Sequence, residues 1–111
     1  MDTLNLTTLV DEELAAARAA TSGRSARTIH GAHQHALQQT VIALAAGSAL
    51  AEHHSPGEAT LQVLHGRVRL TTATDSQEAS AGTLLIIPAE RHGLVAIDDS
   101  AVLLTIAVNR T

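Results

Sequence analysis

The sequence predicts an all-β barrel preceded by one short helix. Its 111 residues suit a single domain. Two patterns point to the fold. Apolar residues recur at helical spacing before Arg24, and after it they alternate or gather into short runs. Glycine, proline and polar clusters then cut the second part into short strands, as in a sandwich or barrel. No internal repeat is visible.

Residues 8–20 read as the helix. Thr8 can cap it, and Asp11, Glu12 and Glu13 fall in its first turn, where carboxylates complement the positive end of the dipole. Val10, Leu14 and Ala17 give one thin apolar stripe, which needs a larger surface to pack on, either the chain's own barrel or a partner. Ser22 and Gly23 end the helix. Residues 36–45 and 58–64 read as strands, the second with Ala59, Leu61 and Val63 on one face. His65-Gly66 is a turn. Arg67 to Leu70 alternates polar and apolar, as a half-buried strand does. Residues 74–81 are a polar loop or short edge strand. Thr83 to Ile87 is an apolar strand stopped by Pro88, and residues 101–108 form the last strand, apolar on both faces. The expected division is a helix and linker over 1–27 and a barrel over 28–111.

Composition removes several functions. There are no aromatic residues, so the core must be Leu, Ile, Val and Ala, and the aromatic platforms of RNA and single-strand binders are excluded. There is no cysteine, which excludes disulfides, thiolate catalysis and cysteine-type zinc sites. All seven basic residues are arginine, so Schiff-base chemistry through lysine is excluded too. A net charge of −4 gives no general attraction to nucleic acid or to anionic membrane. No apolar run approaches the ~18 residues of a membrane helix, and the first residues lack a signal-peptide pattern. A soluble cytoplasmic protein is the expectation. The seven histidines are the one excess with chemical content.

Two blocks carry that chemistry: Gly47 to Gly66, GSALAEHHSPGEATLQVLHG, and Gly82 to His92, GTLLIIPAERH. Each places a glycine before a short apolar strand and histidine beside a turn. They resemble the paired motifs of the cupins, which are double-stranded β-helix barrels of jelly-roll type. The first motif, G(X)5HXH(X)3,4E(X)6G, is matched by Gly47, His53 and Gly66. Ser55 stands at its second histidine and Ala59 at its glutamate, with His54 and Glu58 each one residue off. The second motif, G(X)5PXG(X)2H(X)3N, is matched by Gly82 and Pro88. Glu90 replaces its glycine, His92 arrives one residue early, and Ala96 stands at its asparagine. The resemblance covers residues 36–108 and implies a small single-domain cupin with degenerate metal motifs.

Cupin motifs usually supply metal ligands in the barrel mouth, so the resemblance implies His53, His54, Glu58 and His92 as metal candidates for Zn, Mn, Fe or Ni. Three or four converging N/O donors are needed. His53 and His92 can give two nitrogens, with His54 or Glu58 as third donor if the Ser55-Pro56-Gly57 turn shifts the register. Against this, residue 54 faces away from 53 in an unbroken strand, and a carboxylate at Glu58 is ordinary at a strand start. His53, Glu58 and His92 are also ligand-binding candidates, together with Gln39, whose parity with Leu37 and Val41 aims it at the barrel interior. Gln62 faces solvent or an interface. His30, His33 and His35 form a second cluster at ligand spacing, read as surface or dimer-edge residues; His65 is a turn residue. Arg67 and Arg69 share one face, either solvated or holding an anion.

Three functions follow. The first is a non-catalytic sensor or accessory cupin that holds a small molecule, with or without a metal, in an apolar pocket rimmed by His53 and His92. The second is a metal-dependent cupin enzyme of dioxygenase or isomerase type. The third is a structural dimer with a decayed site. A homodimer is expected in each, with no nucleic-acid or membrane partner.

Overall fold

The computed structural model describes residues 1–31, 34–55 and 57–108. One helix precedes nine strands among them: α1 (Leu6–Ala19), β1 (Arg24–His30), β2 (Leu37–Leu44), β3 (Ala49–His53), β4 (Gly57–His65), β5 (Arg67–Thr71), β6 (Ser76–Ser80), β7 (Leu84–Ile86), β8 (His92–Ala96) and β9 (Ser100–Val108). They build two antiparallel sheets, one in the order β1-β2-β9-β4-β7 and one in the order β3-β8-β5-β6. The sheets face each other as a jelly-roll barrel. No helix among the described residues is long and apolar enough to cross a membrane.

Two apolar layers hold the fold together. The first lies between the sheets and includes Ile42, Leu44, Leu61, Val63, Val68, Leu94 and Val102. The second lies outside the five-stranded sheet, where Val10, Leu14 and Ala17 of α1 pack on Val41, Ala43, Ala101 and Leu103. This second layer answers why β2 and β9 are apolar on both faces: one face meets the barrel interior and the other meets the helix. Burying each large aliphatic side chain contributes about 1.5–3 kcal/mol, so the helix is anchored by its stripe.

The helix begins earlier than the sequence suggests. Asn5, not Thr8, is the cap, and its side-chain oxygen accepts from the Thr8 N–H at 3.0 Å. Asp11, Glu12 and Glu13 therefore lie beyond the first turn. Two of them serve the helix–sheet seam instead. Glu13 is buried, accepts from the Ser25 hydroxyl at 2.6 Å and pairs with Arg27 at 3.0 Å; Glu12 meets the same guanidinium at 3.1 Å. β1, which carries Ser25 and Arg27, runs across the boundary expected after residue 27. The segment 74–81 contains an edge strand, β6, while β1 and β8 were not expected as strands.

The far end of the helix is tied by Asp99. Arg18 Nε donates to its carboxylate at 2.7 Å and the Ala46 N–H donates at 2.8 Å. The Arg18 hydrogen bond, then that of Ala46, holds the Asp99 carboxyl below the ordinary value of 3.8. A depressed carboxylate favours the fold at neutral pH, and that contribution is lost as pH falls through the folded value. We expect an NMR titration of Asp99 to show a midpoint below 3.8 that rises in Arg18→Ala. An unchanged midpoint would contradict this assignment.

Candidate functional site at the barrel mouth

His92 opens β8 with the parity of Leu94 and Ala96, which belong to the interior layer, and it is only 3% exposed. β3 runs antiparallel to β8 with Ala49 opposite Val95, Leu50 opposite Leu94 and His53 opposite His92. Three residues of β3 thus span two of β8, and the register shifts between Leu50 and His53. Without the shift, His53 would face away from Leu50, because side chains alternate along a strand. A bulge absorbs the extra residue and turns His53 back toward His92. The two ring centres lie 4.7 Å apart with their planes inclined by 57°.

The backbone fixes both rings. His53 Nδ1 lies 3.1 Å from the Ala51 carbonyl, and His92 Nδ1 lies 2.9 Å from the Glu90 carbonyl. A carbonyl oxygen can only accept, so a neutral ring in this position carries its proton on Nδ1 and keeps a lone pair on Nε2. Histidines that ligate metals are oriented in the same manner. The spacing also suits a shared ion. With metal–nitrogen bonds of about 2.0–2.1 Å and about 1.1 Å from nitrogen to ring centre, two imidazoles at right angles about one metal have centres about 4.5 Å apart.

The donor set is nonetheless short. A structural or catalytic metal takes three or four protein donors, and among the described residues no group of three or more His, Cys, Asp or Glu could hold one. The residues present do not complete a metal site by themselves. His54 and Glu58, the expected third donors, line a separate cavity of about 790 Å³ with Ser55, Thr60, Ile86 and Glu90. Neither His53 nor His92 lines that cavity. The apolar pocket expected inside the barrel is filled by the interior layer, as in other narrow barrels.

Gln39 is corrected as well. It shares the parity of Val41 and Ala43, but that face lies under the helix. Its amide donates to Thr105 Oγ1 at 3.2 Å on the outside of the sheet. Gln62 is exposed on the same outer side. Arg67 and Arg69 sit near Asp98 and Glu78 at 3.9 and 3.6 Å, a solvated paired face. The rings of His30 and His35 are 5.2 Å apart; His33 lies outside the described residues. Thr60, Ile86 and Glu90 were not singled out from sequence. Only the parity of β4 and β7 could have marked the first two.

The antiparallel order of the sheets defines a double-stranded β-helix, and solved structures share it. A conserved protein of unknown function from Streptococcus pyogenes superposes with a TM-score of 0.74 at 25% identity, over 83% of this chain and 80% of that one. An RmlC-like cupin from Desulfovibrio desulfuricans gives 0.67 at 26% identity, over 76% of this chain and 81% of that one. Salicylate 1,2-dioxygenase from Pseudoaminobacter salicylatoxidans, in complex with gentisate, gives 0.75 at 16% identity, over 90% of this chain and 32% of that one. No protein-family model and no curated protein matches the sequence. The chain therefore has the fold of a small cupin domain.

Proposed function

We propose that this cupin-domain protein binds a small molecule at the barrel mouth in a non-catalytic sensor or accessory role, with His53 and His92 as its polar anchor. The observation that carries this is the backbone-held pair of imidazoles, both presenting Nε2. Two fixed acceptors favour a ligand with a hydroxyl or protonated acid, or a ligand carrying a metal. The enzymatic alternative of dioxygenase or isomerase type needs a third donor that the described residues do not bring to the pair. Long-range ¹H–¹⁵N NMR of the imidazoles tests the reading. Both rings should be Nδ1–H tautomers, and small hydroxy acids should shift both Nε2 resonances together. Rings protonated on Nε2, or unmoved by any hydroxy acid, would refute it.

The protein is also proposed to be a homodimer. The large exposed hydrophobics are Met1, Leu4, Leu37, Leu84 and Ile86. Leu37, Leu84 and Ile86 stand on the outer face of the five-stranded sheet that α1 leaves bare, and Met1 and Leu4 lie beside Leu37. Apolar surface gathered on one face favours a partner, and two-fold pairing is the usual closed solution. Ile86, 71% exposed, is the test position. Light scattering at micromolar concentration should give a dimer for the native chain and a monomer for Ile86→Glu. A monomeric native chain would overturn this.

A further inference from the structure

The cavity beside Glu58 is absorbed by neither the histidine pair nor the helix. Its floor is the outer face of the five-stranded sheet. Leu61 and Val63 of β4 point into the interior layer, so Glu58 and Thr60 point outward. Thr60 stands opposite Ile86 on one side and Thr105 on the other, and Glu58 stands opposite Ala107. All five line the cavity. α1 covers another part of this face, over Val41, Ala43, Ala101 and Leu103. Beyond β7 the Ile87 N–H donates to the Ala59 carbonyl at 3.1 Å, and Pro88 then ends the strand. The chain continues from there to bring Glu90 to the same cavity. A volume of about 790 Å³ is that of a small-molecule site.

With His54 neutral, the charge in this cavity has one sign. Glu58 and Glu90 supply it, and neither forms an ion pair among the described residues, whereas Arg18, Arg27, Arg67, Arg69 and Arg91 are each engaged by other carboxylates. His54, Glu58 and Glu90 form no group that could hold a metal ion. The chain has no aromatic residue, so no aromatic cage can hold a quaternary ammonium. A primary ammonium instead donates hydrogen bonds to carboxylates, and such charge-assisted bonds are the strong ones. Ile86, Ala107 and the methyl groups of Thr60 and Thr105 offer apolar surface to an aliphatic body. We propose that this outer groove binds a protonated primary aliphatic amine, with Glu58 and Glu90 on its ammonium and the sheet face beneath its chain. The site stands apart from His53 and His92 and takes a ligand of the opposite chemical character.

The probes are butylamine and butyltrimethylammonium, which share chain and charge and differ in their N–H donors. In ¹H–¹⁵N NMR titrations of the full chain, butylamine should shift the backbone amides of Glu58, Thr60 and Thr105 with one common affinity. Butyltrimethylammonium should bind more weakly by about threefold or more. Glu58→Gln and Glu90→Gln should each weaken butylamine about threefold, the measure of one exposed ion pair, and the double variant about tenfold. Glu78→Gln removes the same charge from β6 and should change nothing, which controls for net charge. The amide spectrum reports the folding of each variant. An absence of butylamine shifts would overturn the proposal, as would equal affinity for the two probes or equal losses in Glu78→Gln and Glu58→Gln. Binding that arises only after Leu84→Glu breaks the proposed pairing would overturn it too, by showing that a second copy fills the groove. The response of the His53 and His92 rings to hydroxy acids in the same samples keeps failure here distinct from failure at the barrel mouth.

Discussion

His92→Ala is expected to remove binding at the barrel mouth while the barrel remains folded. The ring is nearly buried, its Nδ1 is fixed by the Glu90 carbonyl, and it faces His53 across one strand pair. Alanine converts a two-point anchor into one. Loss of one well-placed contact worth about 1.4 kcal/mol is a tenfold change in affinity. Glu58→Gln and His54→Ala change the neighbouring cavity and should leave the anchor's affinity within about twofold. This reverses the importance that sequence spacing gave Glu58. Calorimetric titration with a small hydroxy acid compares the three variants, and equal losses in all of them would refute the division into two sites.

Gly66→Val should be among the most destabilising single substitutions in the chain. Gly66 joins β4 to β5 at φ +78°, a left-handed conformation that costs a residue with a Cβ roughly 1–2 kcal/mol. A Cβ there also runs into the Asp99 carbonyl, and the Ser100 hydroxyl would lie 2.5 Å away. Ser100 cannot readily retreat. It is buried, accepts from the Arg67 N–H at 3.0 Å and lies 2.7 Å from the Asp98 carbonyl. Strain and displacement together should cost about 3 kcal/mol or more, a large share of the roughly 5–15 kcal/mol that holds a domain together. Gly47→Ala is the comparison: φ is +85° there, but nothing lies within 4 Å of the added carbon. Chemical denaturation should show a much larger drop in midpoint for Gly66→Val. Similar drops would remove crowding from the argument.

The architecture was legible because glycines, Pro88 and the alternating strands carry local signals. Val10, Leu14 and Ala17 proved to be the helix's buried stripe. Parity misled at Gln39 for a physical reason. β2 is apolar on both faces, Ile42 and Leu44 inward and Val41 and Ala43 beneath the helix, so alternation could not say which face was the interior. The meeting of His53 and His92 was expected from motif position, yet the bulge that achieves it has no marker in Ala51 or Glu52. The fate of Glu58 was likewise hidden, since it depends on the face that β4 presents rather than on distance along the chain. The cap at Asn5 was missed because Thr8 offers an equally good local signal.

The extra residue in β3 makes the aim of His53 a matter of counting rather than of chemistry. Exchanging Ala51 or Glu52 for other side chains leaves the count unchanged, and deleting one of them removes the bulge and leaves the imidazole opposite His92 in regular register. Diversification of this loop by substitution therefore has wide freedom. A chain one residue shorter at the bulge would still pair the two histidines, so a comparison of sequences that penalises gaps heavily would misjudge which changes the barrel mouth survives.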